Sequence, residues 1–135
     1  MILADTTFVI DLLRNRYNVK KIKVGLENVN IALSMISISE IYTGLYYSKS
    51  VLGEKLFKKK QEDVQKILLN LDILELNENI VISAGEMRAN RLLNGKPIDI
   101  VDLIIGATGK FYNVDSIITR NNKHFDCWGI NLVNY

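Results

Sequence analysis

Three acidic residues lie in strongly apolar stretches of the sequence, where an isolated carboxylate is costly to bury. Asp5 follows the apolar run 2–4, Glu40 lies within the segment 35–42, and Asp102 lies within the apolar run 100–105. A buried carboxylate requires an ion pair, hydrogen bonds or a metal ion. Carboxylates held together repel each other unless a cation binds them, and hard oxygen ligands select Mg²⁺ or Mn²⁺. Such a site is suited to hydrolysis of a phosphodiester by metal-activated water.

A simpler explanation for two of these acids is helix capping, and it stays open at this stage. Asp5 precedes two threonines at a predicted helix start, and Ser37 and Glu40 have the spacing of a capping box. Asp102 fits capping poorly, because it falls about one turn into its predicted helix, between apolar neighbours.

Short apolar runs alternate with helical patterns and predict the elements that would position the acids. Strands are expected at 2–4, 30–37, 72–76, 116–119 and 131–133. Helices are expected after residue 5, at 19–27, at 37–50, at 52–71 as one helix or a pair, at 77–93 and at 98–111. This alternation indicates a three-layer α/β/α domain with a mainly parallel central sheet flanked by helices. Asp5, Glu40 and the segment 119–121 each follow a strand end, where parallel sheets bind ligands, and Asp102 can reach the same edge.

Length and composition limit the classes of protein to which the chain can belong. The chain has 135 residues, 48% of them hydrophobic and 24% charged, which predicts one domain, 1–135, with a sizeable core. One cysteine and one histidine exclude an internal disulfide and a structural zinc site. No apolar run approaches the roughly 20 residues of a membrane span, and no signal peptide is evident. We therefore expect a soluble, cytoplasmic protein, whose net charge of +2 permits a nucleic-acid partner without requiring one.

Four blocks of the sequence resemble the PIN-domain family, and within it the VapC-type toxin ribonucleases of toxin–antitoxin systems. The blocks are 2–13, 38–45, 95–107 and 117–125. Each is weak alone, and their order and spacing make the resemblance specific. It implies a Mg²⁺-dependent endoribonuclease, with Mn²⁺ as a substitute, that hydrolyses RNA as a toxin. It also implies a homodimer and a cognate antitoxin protein as partner.

The resemblance also implies roles for individual residues. Asp5 and Asp102 would be direct metal ligands, and Glu40 a ligand acting through water. Asn121 stands where many family members carry a fourth acid. An amide can hydrogen-bond a metal-bound water but adds no charge, which disfavours a tightly held second metal.

Several neighbours of these residues are candidates for supporting roles. Thr6 and Thr119 could orient Asp5 and Asn121, or could serve only as helix caps. Arg120 is the best candidate for a phosphate contact, because a guanidinium matches phosphate in a bidentate manner.

Four further polar residues receive structural or surface roles. Asp11 is expected to be structural, and Asp99 to stabilise a helix N-terminus. His124 is expected to lie at the surface or contact phosphate rather than act as a base, and Asp126 to be a solvated loop residue.

Other functions remain in competition with the nuclease. A non-catalytic PIN-like RNA- or protein-binding module is the main alternative, although such a module gains nothing from repelling carboxylates. A receiver domain would need a phosphoacceptor Asp on a central strand and a later Lys, and neither is placed suitably. Tyr42, Tyr46 and Tyr47 fit an interface and core packing equally well.

Overall fold

A five-stranded sheet forms the centre of the computed structural model, which describes residues 1–15 and 28–135. The strands are β1 (Ile2–Ala4), β2 (Ile31–Ser34), β3 (Asp72–Leu74), β4 (Ser116–Ile118) and β5 (Asn131–Val133). Their order is β3-β2-β1-β4-β5, and every pair is parallel. The predicted α/β class is confirmed, with a sheet that is parallel throughout rather than mainly so.

Helices connect these strands. In the described residues they are α1 (Thr6–Leu13), α2 (Met35–Leu68), α3 (Glu78–Leu93), α4 (Ile100–Phe111) and the short α5 (Asn122–Phe125), followed by a 3₁₀ turn (Asp126–Trp128). The helix predicted at 19–27 lies outside the described residues. No helix in the described part of the chain combines the length and the apolar character needed to cross a membrane.

Helices cover both faces of the sheet, as the alternation of side chains on β1 requires. Leu3 packs with Ile105 of α4 on one face, whereas Ala4 packs with Phe8 of α1 and Ile41 of α2 on the other. The third helix, α3, packs against the outer side of α4. The predicted three layers are therefore present, and β1 lies at their centre.

The boundary between β2 and α2 differs from the prediction. The predicted strand at 30–37 ends at Ser34, and α2 begins at Met35, so the capping box predicted at Ser37 and Glu40 is wrong. A continuous apolar run does not distinguish a buried strand from a buried helix, which explains the error. Ser34 is the N-cap residue, but its hydroxyl donates to Thr108 Oγ1 at 3.0 Å, because Thr108 gives its own hydrogen to a backbone carbonyl.

Two other helix boundaries have clear local causes. Gly53 interrupts α2 with a positive φ of 75°, a conformation that glycine adopts at little cost, so the helix consists of two segments joined at this residue. The helix α4 begins at Ile100 rather than at the predicted residue 98. Asp99 Oδ1 accepts a hydrogen bond from Val101 N at 2.9 Å and so caps the helix.

Candidate active site

The central strands end at the same level and bring their following residues together. Ala4 pairs with Leu33 of β2 and with Ile118 of β4. The Asp5 amide then donates to the Ile118 carbonyl at 3.0 Å. Asp5 and Thr119 therefore leave neighbouring strands side by side, at the edge where the sequence predicts a site.

Hydroxyl groups, rather than the helix backbone, hold the Asp5 side chain. Asp5 is only 1% exposed, and its Oδ2 accepts from Thr7 Oγ1 at 2.7 Å and from Thr119 Oγ1 at 2.9 Å. It occupies the N-cap position of α1 without making a side-chain capping bond. The capping explanation is therefore wrong for Asp5. Both hydroxyls bind the same oxygen, which fixes the carboxylate and leaves Oδ1 out of these bonds.

Glu40 lies in the second turn of α2, half-buried, and near the other acids. Burial raises the pKa of its carboxyl, the Thr6 hydroxyl partly offsets this, and the negative charges of Asp102 and Asp5 raise the pKa further. Thr6 Oγ1 is buried and, among the described residues, has no partner within hydrogen-bond geometry. The Thr6 hydroxyl therefore lowers the pKa of Glu40 as a nearby dipole rather than through a hydrogen bond.

The contact of Asp102 with His124 is the main feature that sequence reasoning missed. His124 Nδ1 lies 2.6 Å from Asp102 Oδ2, a contact that the sequence did not predict, and the imidazole stays partly exposed. Burial raises the pKa of Asp102, the hydrogen bond with His124 opposes that rise, and the charge of Asp5 adds to it. One signal was available: His124 follows Asn121 by three residues, on a short helix that begins just beyond β4.

The two threonines predicted to orient site residues differ in their contacts. Thr119 contacts both Asp5 and Asn121. Its Oγ1 accepts from the backbone N–H of Asn121 at 2.9 Å and donates to Asp5 Oδ2. Thr7, which the sequence did not single out, takes the Asp5-orienting role predicted for Thr6.

Arg120 is engaged within the protein. Its Nη1 lies 2.9 Å from Oδ2 of the buried Asp11, and its side chain is 41% exposed. The guanidinium is therefore tied to Asp11 and only partly available to a phosphate. The exposed Asp126 lies 3.7 Å from Arg91, in keeping with a surface role.

The donor set suits a hard divalent cation that keeps several water ligands. Within residues 1–15 and 28–135, no three His, Cys, Asp or Glu side chains approach closely enough to form a metal cage by themselves. Mg²⁺ is usually bound through one or two carboxylates plus water rather than by such a cage. Asp5, Glu40 and Asp102 interact electrostatically, and Thr6 Oγ1, which has no hydrogen-bond partner among the described residues, lies near Glu40. The residues present fit that ion.

Comparison with known proteins places the chain in a family. The sequence model of the PIN domain matches residues 2–126. The chain belongs to the PIN-domain family. A VapC ribonuclease of Pyrococcus furiosus is 28% identical over 107 residues, which is 79% of this chain and 66% of that protein. Ribonuclease VapC1 of Haemophilus influenzae is 24% identical over 125 residues, covering 91% of this chain and 88% of that PIN-family relative.

Solved structures show the same PIN fold. FitAcB from Neisseria gonorrhoeae superposes with a TM-score of 0.82 at 25% identity, over 99% of this chain and 97% of that one. A toxin–antitoxin complex from Klebsiella pneumoniae gives a TM-score of 0.71 at 24% identity, over 98% and 96% of the two chains.

Proposed function

We propose that this PIN-domain protein is a metal-dependent endoribonuclease, acting as the VapC-type toxin of a toxin–antitoxin pair. The observation that carries the proposal is the arrangement of Asp5, Glu40 and Asp102 at the carboxyl edge of the sheet. One of these acids is buried and held by two hydroxyls, and burial and mutual repulsion raise the pKa of the other two. Relatives named as VapC ribonucleases support the choice of RNA as substrate.

Asp5 and Asp102 would hold the metal ion directly, and Glu40 through a water molecule. Mg²⁺ is the proposed ion and Mn²⁺ its substitute, because both prefer oxygen ligands. When bound, the ion lowers the pKa of a coordinated water and stabilises the charge that grows on the scissile phosphate. Asn121 contributes no charge, which favours one tightly held ion over two.

The protein's own residues position the proposed metal ligands. Thr7 and Thr119 fix Asp5, and His124 fixes Asp102. In the protein without a metal ion, burial and the charges of Asp102 and Asp5 raise the pKa of Glu40, and a bound cation would offset that repulsion.

The proposed partners are an antitoxin protein, as in the toxin–antitoxin complex that shares this fold, and a second copy of the chain. On α2, Tyr47 is 82% exposed, and Val51 and Leu56 are also exposed, which suits a protein interface. Tyr42 instead packs against the core. The proposed setting is the cytoplasm, and the proposed unit is one domain over residues 1–135.

Cleavage of total cellular RNA tests the function. Wild-type protein with Mg²⁺ or Mn²⁺ should cut at discrete sites and leave 5′-phosphates, and chelator or Asp102→Asn should abolish the cuts. Asp126→Asn, which removes an exposed acid on the adjacent 3₁₀ turn, is the matched control and should leave cleavage unchanged. Cleavage that persists in Asp102→Asn would reject this ligand assignment. Absence of cleavage by a protein that binds Mn²⁺ would favour the non-catalytic binding module.

A further inference from the structure

Tyr135 lies close to the carboxylate site although it is remote from Asp5 in sequence. Its ring packs edge-on against Phe8 of α1, with ring centroids 5.2 Å apart. Its hydroxyl lies 3.3 Å from Thr7 Oγ1 and 3.2 Å from Asp11 Oδ2. Tyr135 therefore contacts α1 through both its ring and its hydroxyl.

The hydrogen count gives these contacts a direction. Thr7 has one hydroxyl hydrogen and donates it to Asp5 Oδ2, because an ionised carboxylate can only accept. In its contact with Tyr135, Thr7 Oγ1 can therefore act only as the acceptor. Asp11 also accepts only, and its Oδ2 is already bound by Arg120 at 2.9 Å. The hydrogen of Tyr135 thus lies between two acceptors, and the Thr7 acceptor leads to Asp5.

We propose that Tyr135 is a positioning residue for Asp5, acting through the ordered bonds from the Tyr135 hydroxyl to Thr7 and from Thr7 to the Asp5 carboxylate. A hydroxyl that accepts a hydrogen bond donates its own more strongly, so Tyr135 reinforces the bond that orients Asp5. Burial raises the pKa of Tyr135 to about 12, so the phenol keeps its hydrogen at neutral pH.

Arg120 and Asp11 anchor the other side of the Tyr135 hydroxyl. Their ion pair holds the Asp11 carboxylate in place, and with it one of the two acceptors for the phenol. Arg120 therefore has a second role beside the phosphate contact predicted for it. It supports the position of Tyr135 from the turn that follows β4.

The Tyr135→Phe variant tests this inference through Mn²⁺ affinity, RNA cleavage and the carboxyl resonance of Asp5. The expected effect on cleavage rests on the proposed function. The substitution removes the hydroxyl and keeps the ring against Phe8. We expect Mn²⁺ affinity and RNA cleavage to fall by about 3- to 10-fold, the range expected for the loss of one neutral hydrogen bond. In metal-free protein, the carboxyl ¹³C resonance of Asp5 should shift. Tyr112→Phe is the matched control, because the Tyr112 hydroxyl donates to the Glu75 carbonyl instead.

A double-mutant cycle tests the route through Thr7. Thr7→Val should weaken Mn²⁺ binding more than Tyr135→Phe does, and the double variant should bind no more weakly than Thr7→Val alone. Thr7→Ser, which keeps the hydroxyl, should retain wild-type affinity. Additive effects would overturn the route.

The outcomes separate this inference from the proposed function. A Tyr135→Phe variant that melts at a lower temperature but keeps the wild-type Asp5 resonance and Mn²⁺ affinity would show that Tyr135 is merely structural, and would overturn the inference alone. A wild-type protein that neither binds Mn²⁺ nor cleaves RNA would overturn the proposed function. In that case, an Asp5 resonance that still shifts in Tyr135→Phe would support the positioning contact by itself.

Discussion

His124 Nδ1 lies 2.6 Å from Asp102 Oδ2, and this contact joins the short α5 to the first turn of α4. Both helices begin at the carboxyl edge of the sheet, but they reach it from different parts of the chain. A single side chain on α5 therefore determines how an acid on α4 is oriented.

Removal of the imidazole should impair the site without unfolding the protein. We expect His124→Ala to reduce RNA cleavage and Mn²⁺ affinity by about 10- to 100-fold, as is typical when a partner of a metal ligand is lost. Lys123→Ala, on the exposed side of the same helix, is the matched control. Wild-type Mn²⁺ affinity in His124→Ala, measured by calorimetry, would show that Asp102 does not need this contact.

Glu40 should destabilise the fold at neutral pH. Its folded-state pKa is raised above the ordinary value of 4.5, so the protonated form is favoured in the folded protein and stability falls as pH rises through the folded pKa. Glu40→Gln should therefore raise the melting temperature by about 2 °C at pH 7.5. The advantage should shrink as pH falls towards 4. The exposed Glu54→Gln, on the same helix, should show no such pH-dependent gain in a thermal melt.

An added charge at position 121 should strengthen metal binding. Asn121 follows Thr119, which holds Asp5, and its own side chain makes no capping bond on α5. We expect Asn121→Asp to lower the Mn²⁺ dissociation constant several-fold. Asn122→Asp adds the same charge one residue further along and should change the affinity much less. Equal titration curves for the two variants would place Asn121 outside the site.

Gly106 allows α4 to pack closely against the 3₁₀ turn. A Cβ atom at this position would overlap the indole of Trp128, which is buried. Gly106→Ala should therefore lower the free energy of unfolding by about 1–3 kcal/mol. Gly85→Ala in α3 has open space around its new methyl group and should instead gain about 0.5–1 kcal/mol from helix propensity. Urea unfolding of both variants measures the difference, and equal stabilities would contradict this account of the packing.

Sequence periodicity predicted the architecture well because β1 and β4 are short, mostly apolar segments, each followed directly by a polar residue, Asp5 or Thr119. It predicted the start of α2 poorly, because the segment from Ile31 to Ile38 stays mostly apolar across the end of the strand and the start of the helix. The position of Asp5 beside Thr119 followed from parallel topology. The contact between His124 and Asp102, and the choice of Thr7 over Thr6, depend on side-chain directions that the one-dimensional pattern does not contain.

The junction between β2 and α2 has no connecting loop, since Ser34 ends the strand and Met35 begins the helix. Each residue of an α-helix turns the chain by about 100°. Inserting or deleting one residue between Ser34 and Glu40 would therefore swing the Glu40 carboxylate away from Asp5 and Asp102, even with every side chain conserved. The length of this segment is thus as much a determinant of the site as the identity of its residues.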